Sequence, residues 1–181
     1  MSKAIIFFAD GMEECEALLV VDLLRRAGVE VTTASIMDKK QVLSSHGINI
    51  DADMLAEEVE YKLYDIVILP GGVSGTENLG QCSLVLEQVK VFSQTKRIAA
   101  ICAAPSIFAK LGLLDNKKAT CHPSFEPYMA KAQLTHGAVA VAGNIITGQG
   151  LGAAIPFALA LIKELVNEKA AQKVADSICF R

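Results

Sequence analysis

A chain of 181 residues, 52% of them hydrophobic, is long enough to bury one sizeable core and too short to suggest two. Its formal net charge is −3, and its 17 basic residues are spread along the chain. They form no basic stripe, which argues against nucleic acid and anionic membrane surfaces as partners and leaves small molecules and other proteins.

Lys3 to Phe8 reads as a strand, and the apolar run behind Met1-Ser2-Lys3 ends at Ala9, too short for the core of a signal peptide. Ala17, Val20, Val21, Leu24 and Ala27 then recur at helical spacing, and Gly28 suits the residue that closes a helix. Glu30 to Ser35 gives a second strand, Gln41 to Asp53 a loop or small hairpin, and Asp65 to Leu69 a central strand halted by Pro70-Gly71-Gly72. The spacing predicts a helix from Ser83 to Thr95. Ile98 to Ile101 reads as a buried strand and Pro105 as a first-turn helix residue, so Cys102 falls at a strand-to-helix turn. Next come a strand near Lys118 to Thr120 and a hairpin of Val139 to Ala142 with Ile145 to Thr147 around Gly143-Asn144. A long helix follows Gly152, its buried face marked by Ile155, Leu159, Ile162 and Val166. The longest uncharged apolar stretch, Gly150 to Ile162, is too short to span a bilayer, so a cytoplasmic, membrane-free protein is expected.

Apolar strands alternating with amphipathic helices, without a linker or repeat, predict a single α/β domain over residues 1–181. Its sheet should be mostly parallel, with helices on both faces. Ligands of such sheets bind beyond the carboxyl ends of the strands. Three segments fall there: Ala9 to Glu16, Leu69 to Gly72, and Cys102. A phosphate loop after the first strand is disfavoured by Glu13, Glu14 and Glu16, and Gly148-Gln149-Gly150-Leu151-Gly152 lacks dinucleotide spacing, so turn formation and close packing are its expected uses.

Cys102 has two readings. Free cysteine is a common core hydrophobe, yet a sharp turn with free amides at a helix start also suits a nucleophile. Five cysteines, an odd number without a C-x-x-C pair, form neither a disulfide framework nor a zinc pattern. Cys15 should point away from Glu16 on its helix, and Cys82 and Cys179 read as structural or incidental. Cys121 beside His122 lacks recognised ligand spacing, so no metal is expected. His46 reads as a loop residue and His136, before Gly137, as a turn.

Glu13-Glu14-Cys15-Glu16-Ala17, Val21 to Gly28, Leu69-Pro70-Gly71-Gly72, Ala99 to Pro105 and His122-Pro123, in this order and spacing, resemble the ThiJ/PfpI superfamily, in particular its DJ-1-like branch. The resemblance covers essentially the whole chain. It implies a flavodoxin-like sandwich, a homodimer, no cofactor, and a reactive cysteine paired with a first-helix glutamate. By position, Cys102 matches the nucleophile and Glu16 its carboxyl partner. Gly72 and Ala103 match the residues whose backbone N–H groups line the oxyanion pocket, and His122 matches the histidine that precedes proline near the cysteine. A carboxyl beside a thiolate cannot easily ionise as well, so Glu16 should hold a proton toward sulfur and keep Cys102 a thiolate near neutral pH. Glu13 and Glu14 read as solvated, with Glu14 helping to shape the pocket, and Asp22 as a partner for a histidine across the dimer.

Departures from the family pattern narrow the chemistry. Ala103 stands where peptidase-like and larger glyoxalase branches place a histidine, which removes the nearest base a cysteine peptidase would use. Ser124 stands where amidotransferase relatives place a glutamate two residues after the histidine, so no triad is completed. Ser44-Ser45-His46 replaces the cysteine and arginine of better-known animal relatives, so roles given to those residues do not transfer. Two functions remain. One is cysteine-dependent detoxification of small aldehydes, converting methylglyoxal to lactate, with glycated proteins or nucleotides as further substrates. The other is an oxidative-stress sensor or redox-regulated chaperone working through oxidation of Cys102.

Overall fold

The computed structural model describes residues 1–181. In chain order the elements are β1 (Lys3–Phe8), α1 (Glu14–Arg26), β2 (Glu30–Ser35), β3 (Gln41–Leu43), β4 (Asn49–Asp51), β5 (Met54–Leu55), β6 (Ile66–Leu69), α2 (Val73–Gln81) and α3 (Ser83–Thr95). They continue with β7 (Arg97–Ile101), α4 (Pro105–Lys110), β8 (Lys118–Ala119), β9 (Gln133–Leu134), β10 (Val139–Ala142), β11 (Ile145–Gly148), α5 (Ala154–Leu165) and α6 (Glu168–Ser177).

Seven strands form one sheet in the order β10-β11-β7-β6-β1-β2-β5. All neighbours run parallel except β10 and β11. Without the two edge strands the order is β2-β1-β6-β7-β11, the doubly wound arrangement of flavodoxin-like sandwiches. The winding reverses between β1 and β6. Ile6 is level with Ile68 and Leu69 with Ala100, so the chain leaves β1, β6 and β7 toward a common crevice.

Alternation along the strands builds two cores. Ala4, Ile6 and Phe8 face α1, α5 and α6, whereas Ile5 and Phe7 face α3 and α4. Phe7, Phe8, Phe92, Phe108 and Phe157 are fully buried, and truncating any one to alanine would cost about 3–5 kcal/mol. Glu13 caps α1 by accepting the Glu16 N–H at 2.6 Å, and Gly28 follows the helix at φ 80°. No helix is long and apolar enough to cross a membrane.

The structure corrects or refines the sequence reading in three places. The buried face of α5 is Ala154, Phe157, Ala158, Leu161 and Ile162; Ile155 and Leu159 are half-buried, and Val166 is exposed beyond the helix end. This helix is apolar nearly all round, so periodicity alone does not fix its rotation. Small Ala154 and Ala158 join the core it shares with α1. The expected strand at Lys118 lies outside the main sheet, as β8 paired with β9. Two further helices are present: α2, whose sequence VSGTENLGQ carries little apolar pattern, and α6, capped by Asn167 Oδ1 on the Ala170 N–H at 2.8 Å. The Gln41 to Asp53 segment is the hairpin β3-β4.

Candidate active site

Cys102 ends β7 on an elbow with φ 65°, a left-handed conformation that costs a non-glycine residue about 1–2 kcal/mol. Its surroundings hold it there. Its N–H donates to Gly148 C=O at 3.0 Å, and its C=O accepts the His122 N–H at 2.8 Å. Pro105 then opens α4.

Glu16 comes from the first turn of α1 and is 1% exposed. Its Oε2 accepts the Gly71 N–H at 3.1 Å. Gly71 is the contact point between the two reactive groups, because a Cβ placed there would lie 2.2 Å from Glu16 Oε2 and 2.5 Å from Cys102 Cβ. Only glycine lets the chain leave β6 between them. Gly72 is required for a second reason: it sits at φ 88°, and a Cβ there would strike Gly11 O at 2.4 Å.

Burial pushes the Glu16 carboxyl up to about 7, opposed by its hydrogen bond with Cys102 and by the amides of Gly71 and Leu151, and reinforced by the charge on Glu13. Burial also pushes the Cys102 thiol up, to about 12; the Glu16 charge and hydrogen bond add to this, and the amides of Gly72 and Ala103 oppose it. Above about pH 7 the pair therefore shares a single proton. The expected thiolate is thus conditional: an ionised Glu16 opposes it, and it forms when the shared proton rests on the carboxyl. Gly72 and Ala103, both named from sequence, are the two backbone amides that pull the thiol back down.

His122 caps the 3-10 segment Pro123–Met129 and is exposed at the cavity wall. Glu16, Cys102 and His122 line one cavity of about 540 Å³, whose wall also includes Gln149, Gly150 and Leu151 and no lysine or arginine. That wall is the part the sequence reading missed. It treated the glycine-rich run as turn and packing, which is right for Gly148, where a Cβ would lie 2.9 Å from Ile101 and 3.0 Å from the Phe157 ring. Gly150 instead borders the site, where a Cβ would lie 3.7 Å from His122 Cδ2 and 4.0 Å from Cys102 Sγ.

Other residues fall elsewhere. Glu14 is not solvated and does not line the cavity: it is 7% exposed and bonds to Ser45 Oγ at 3.2 Å and His46 Nδ1 at 2.8 Å. His46 is therefore more than a loop residue, since it ties the β3-β4 turn to α1. Nor is Glu13 merely solvated, because it caps α1. Asp22 pairs within the chain, with Arg26 Nε at 2.8 Å. Cys121 is buried, and Cys15 and Cys179 are exposed. Glu13, Glu14 and His46 bring donor atoms within 4.8 Å of one another, but these groups already serve the helix cap and the hairpin.

A doubly wound sheet that carries a cysteine elbow beside a buried carboxyl defines a class of α/β sandwich with a cysteine at the end of a central strand. The chain belongs to the DJ-1/PfpI family, whose model matches residues 2–164. It is 37% identical to protein dj-1beta of Drosophila melanogaster, covering 98% of this chain and 97% of that protein. The crystal structure of Drosophila DJ-1beta superposes with a TM-score of 0.95 at 36% identity, covering all of both chains. Protein DJ-1 homolog B of Arabidopsis thaliana is also 37% identical over 99% of this chain, which spans 42% of that longer protein. Glutathione-independent glyoxalase DJR-1.2 of Caenorhabditis elegans is 29% identical, over 99% of this chain and 96% of that protein.

Proposed function

We propose that the chain is a cofactor-free glyoxalase that converts methylglyoxal and water to lactate. The observation that carries this reading is the junction at Gly71, where the Glu16 carboxyl and the Cys102 side chain meet across one α-carbon, both residues lining the same cavity. The thiolate adds to the aldehyde carbon, forming the C–S bond, and the aldehyde oxygen takes the proton that Glu16 held. Glu16, now ionised, removes the C1 proton of the hemithioacetal and returns it to C2, while the hydroxyl proton passes from the C1 oxygen to the C2 oxygen. The product is a lactoyl thioester. Water then breaks the C–S bond, releasing lactate and restoring the shared proton. The amides of Gly72 and Ala103 support the negative oxygen that develops at C1.

The glyoxalase name of the Caenorhabditis relative supports this reading. Glycated protein or nucleotide adducts would be attacked by the same thiolate. A homodimer and a cytoplasmic location belong to the same proposal; Leu18 on α1 and Leu151 ahead of α5 leave apolar surface exposed. Purified protein is expected to form lactate from methylglyoxal catalytically and Cys102→Ala to form none; turnover surviving that substitution overturns the assignment.

A second reading follows from the same amides. Two equivalents of peroxide would each deliver one oxygen to Cys102 and leave as water, giving a sulfinate held by Gly72, Ala103 and protonated Glu16, as a stress sensor or redox-regulated chaperone requires. Intact-mass analysis after mild peroxide should show two added oxygens, located at Cys102. Uniform oxidation of all five thiols speaks against it.

A further inference from the structure

We propose that Ser124 is a positioning residue that fixes the tautomer of His122, so that the imidazole meets substrate as an Nε2–H donor. The inference rests on the glyoxalase reading of the cavity, but its first test does not. His122 Nδ1 lies 2.7 Å from Ser124 Oγ and receives the Ser124 backbone N–H at 3.3 Å. A backbone N–H only donates, so the nitrogen it points at must offer a lone pair. A neutral imidazole has one such nitrogen, and the ring proton therefore sits on Nε2. The Ser124 hydroxyl reinforces this by donating to the same lone pair.

The geometry also says what the free edge meets. Cδ2, the ring carbon bonded to Nε2, is the atom of His122 nearest the position a Gly150 Cβ would take, and Cys102 Sγ borders that same point. The Cδ2 side of the ring thus borders the space beside the sulfur, and Nε2, bonded to Cδ2, is the ring nitrogen nearer to it, within reach of an aldehyde oxygen placed there. In that position His122 donates a hydrogen bond to the substrate oxygen as charge develops and keeps its own proton, because a neutral imidazole that gave up Nε2–H would become an unfavourable anion. Proton transfer stays with Glu16. The same logic explains why a serine and not a carboxylate occupies position 124. A carboxylate accepts only, so it would draw the ring proton to Nδ1 and present an unprotonated Nε2 to the substrate, the arrangement a triad base needs.

The test is a long-range nitrogen–proton correlation spectrum of histidine-labelled protein, recorded above the ordinary imidazole titration range. His122 is assigned by its loss in His122→Gln. In wild type and in Ser124→Thr, which keeps the hydroxyl, the proton is expected on Nε2, and the two should turn over methylglyoxal within about twofold of each other. Ser124→Asp is expected to move the proton to Nδ1 and to lower kcat on the order of tenfold or more, with KM changed less, since the lost bond strengthens as the transition state forms. A wild-type ring protonated on Nδ1 overturns the tautomer assignment whether or not the protein is a glyoxalase. A Ser124→Asp ring that moves its proton to Nδ1 with kcat unchanged overturns the donor role. Absence of lactate from wild type, with the Nε2 tautomer observed, removes the glyoxalase reading and leaves the tautomer control by Ser124 standing.

Discussion

Glu14 and Glu16 leave the same turn of α1, are both largely buried, and are shifted in opposite directions from the ordinary carboxyl range. Burial pushes both upward. At Glu14 that push is outweighed by its own backbone amide, the hydroxyls of Ser44 and Ser45, and the charge of His46, so the carboxyl lies below its ordinary range. At Glu16 the partners are a thiol and two amides, which do not offset burial, and the carboxyl rises to about 7. The difference lies in what each side chain reaches. One reaches a polar turn that needs an anion, the other a sulfur that gains from a proton. Two residues of spacing on one helix separate a carboxyl held low by polar partners from one raised by burial.

The largest expected effect separates the two by activity. Glu16→Gln keeps the shape of the site but can no longer take up a proton, and should lower kcat by roughly 10²–10⁴, the usual contribution of a general acid–base group. Glu14→Gln should stay near wild type. A lactate assay on the pair decides, and equal losses would end the distinction.

The same two residues should bend the pH–stability curve in opposite directions. Glu16 is raised in the folded state, so between about 4.5 and about 7 the native protein binds more protons there than the unfolded chain. Its contribution is fully present below that window and is lost as pH rises through it, on the order of 3 kcal/mol. Glu14 is lowered, so its contribution is present above the ordinary carboxylate range and is lost as pH falls through its depressed folded value. Denaturant midpoints measured from pH 4 to 8 should show Glu16→Gln flattening the decline on the neutral side and Glu14→Gln weakening the protein everywhere except at low pH.

Gly71→Ala tests the junction itself. The added methyl falls between Glu16 Oε2 and Cys102 Cβ, so the strand exit or the helix must move, at a cost of about 1–3 kcal/mol in thermal stability together with most of the activity. Wild-type turnover in this variant would show that the two groups need not meet there. Gly71 also marks where legibility stopped. The sheet, the elbow and the gathering of Glu16 and His122 around Cys102 could be read from apolar runs, a proline and a family pattern. The glycine whose missing Cβ joins carboxyl to thiol looked like ordinary turn chemistry. So did Gly150, because a bare backbone that forms a cavity wall leaves the same mark as one that merely turns. The rotation of α5 was hidden for the converse reason: with apolar side chains on every face, packing against small Ala154 and Ala158 chose the orientation and periodicity did not. The roles of Glu14 and His46 depended on a contact between residues 32 apart, which no local pattern carries.

The smallest effect returns to that contact. His46 is well exposed, so its bond to Glu14 should add only about 0–1 kcal/mol, and His46→Ala should shift the melting temperature by little. Its consequence should be local. With the imidazole gone, Glu14 loses a partner that holds it below its ordinary range and moves up toward that range, while Ser44 and Ser45 remain. Amides of the β3-β4 hairpin, whose Ser45 N–H is bonded to Met12 C=O at 2.8 Å, should exchange faster than in wild type, with those of β6 and β7 unchanged. Glyoxalase activity should also be unchanged, because the hairpin side of α1 and the cavity side are held by separate sets of bonds. A loss of turnover in His46→Ala comparable to that in Glu16→Gln would show instead that the two carboxyls act as one coupled unit across the helix turn, and the contrast between them would fall.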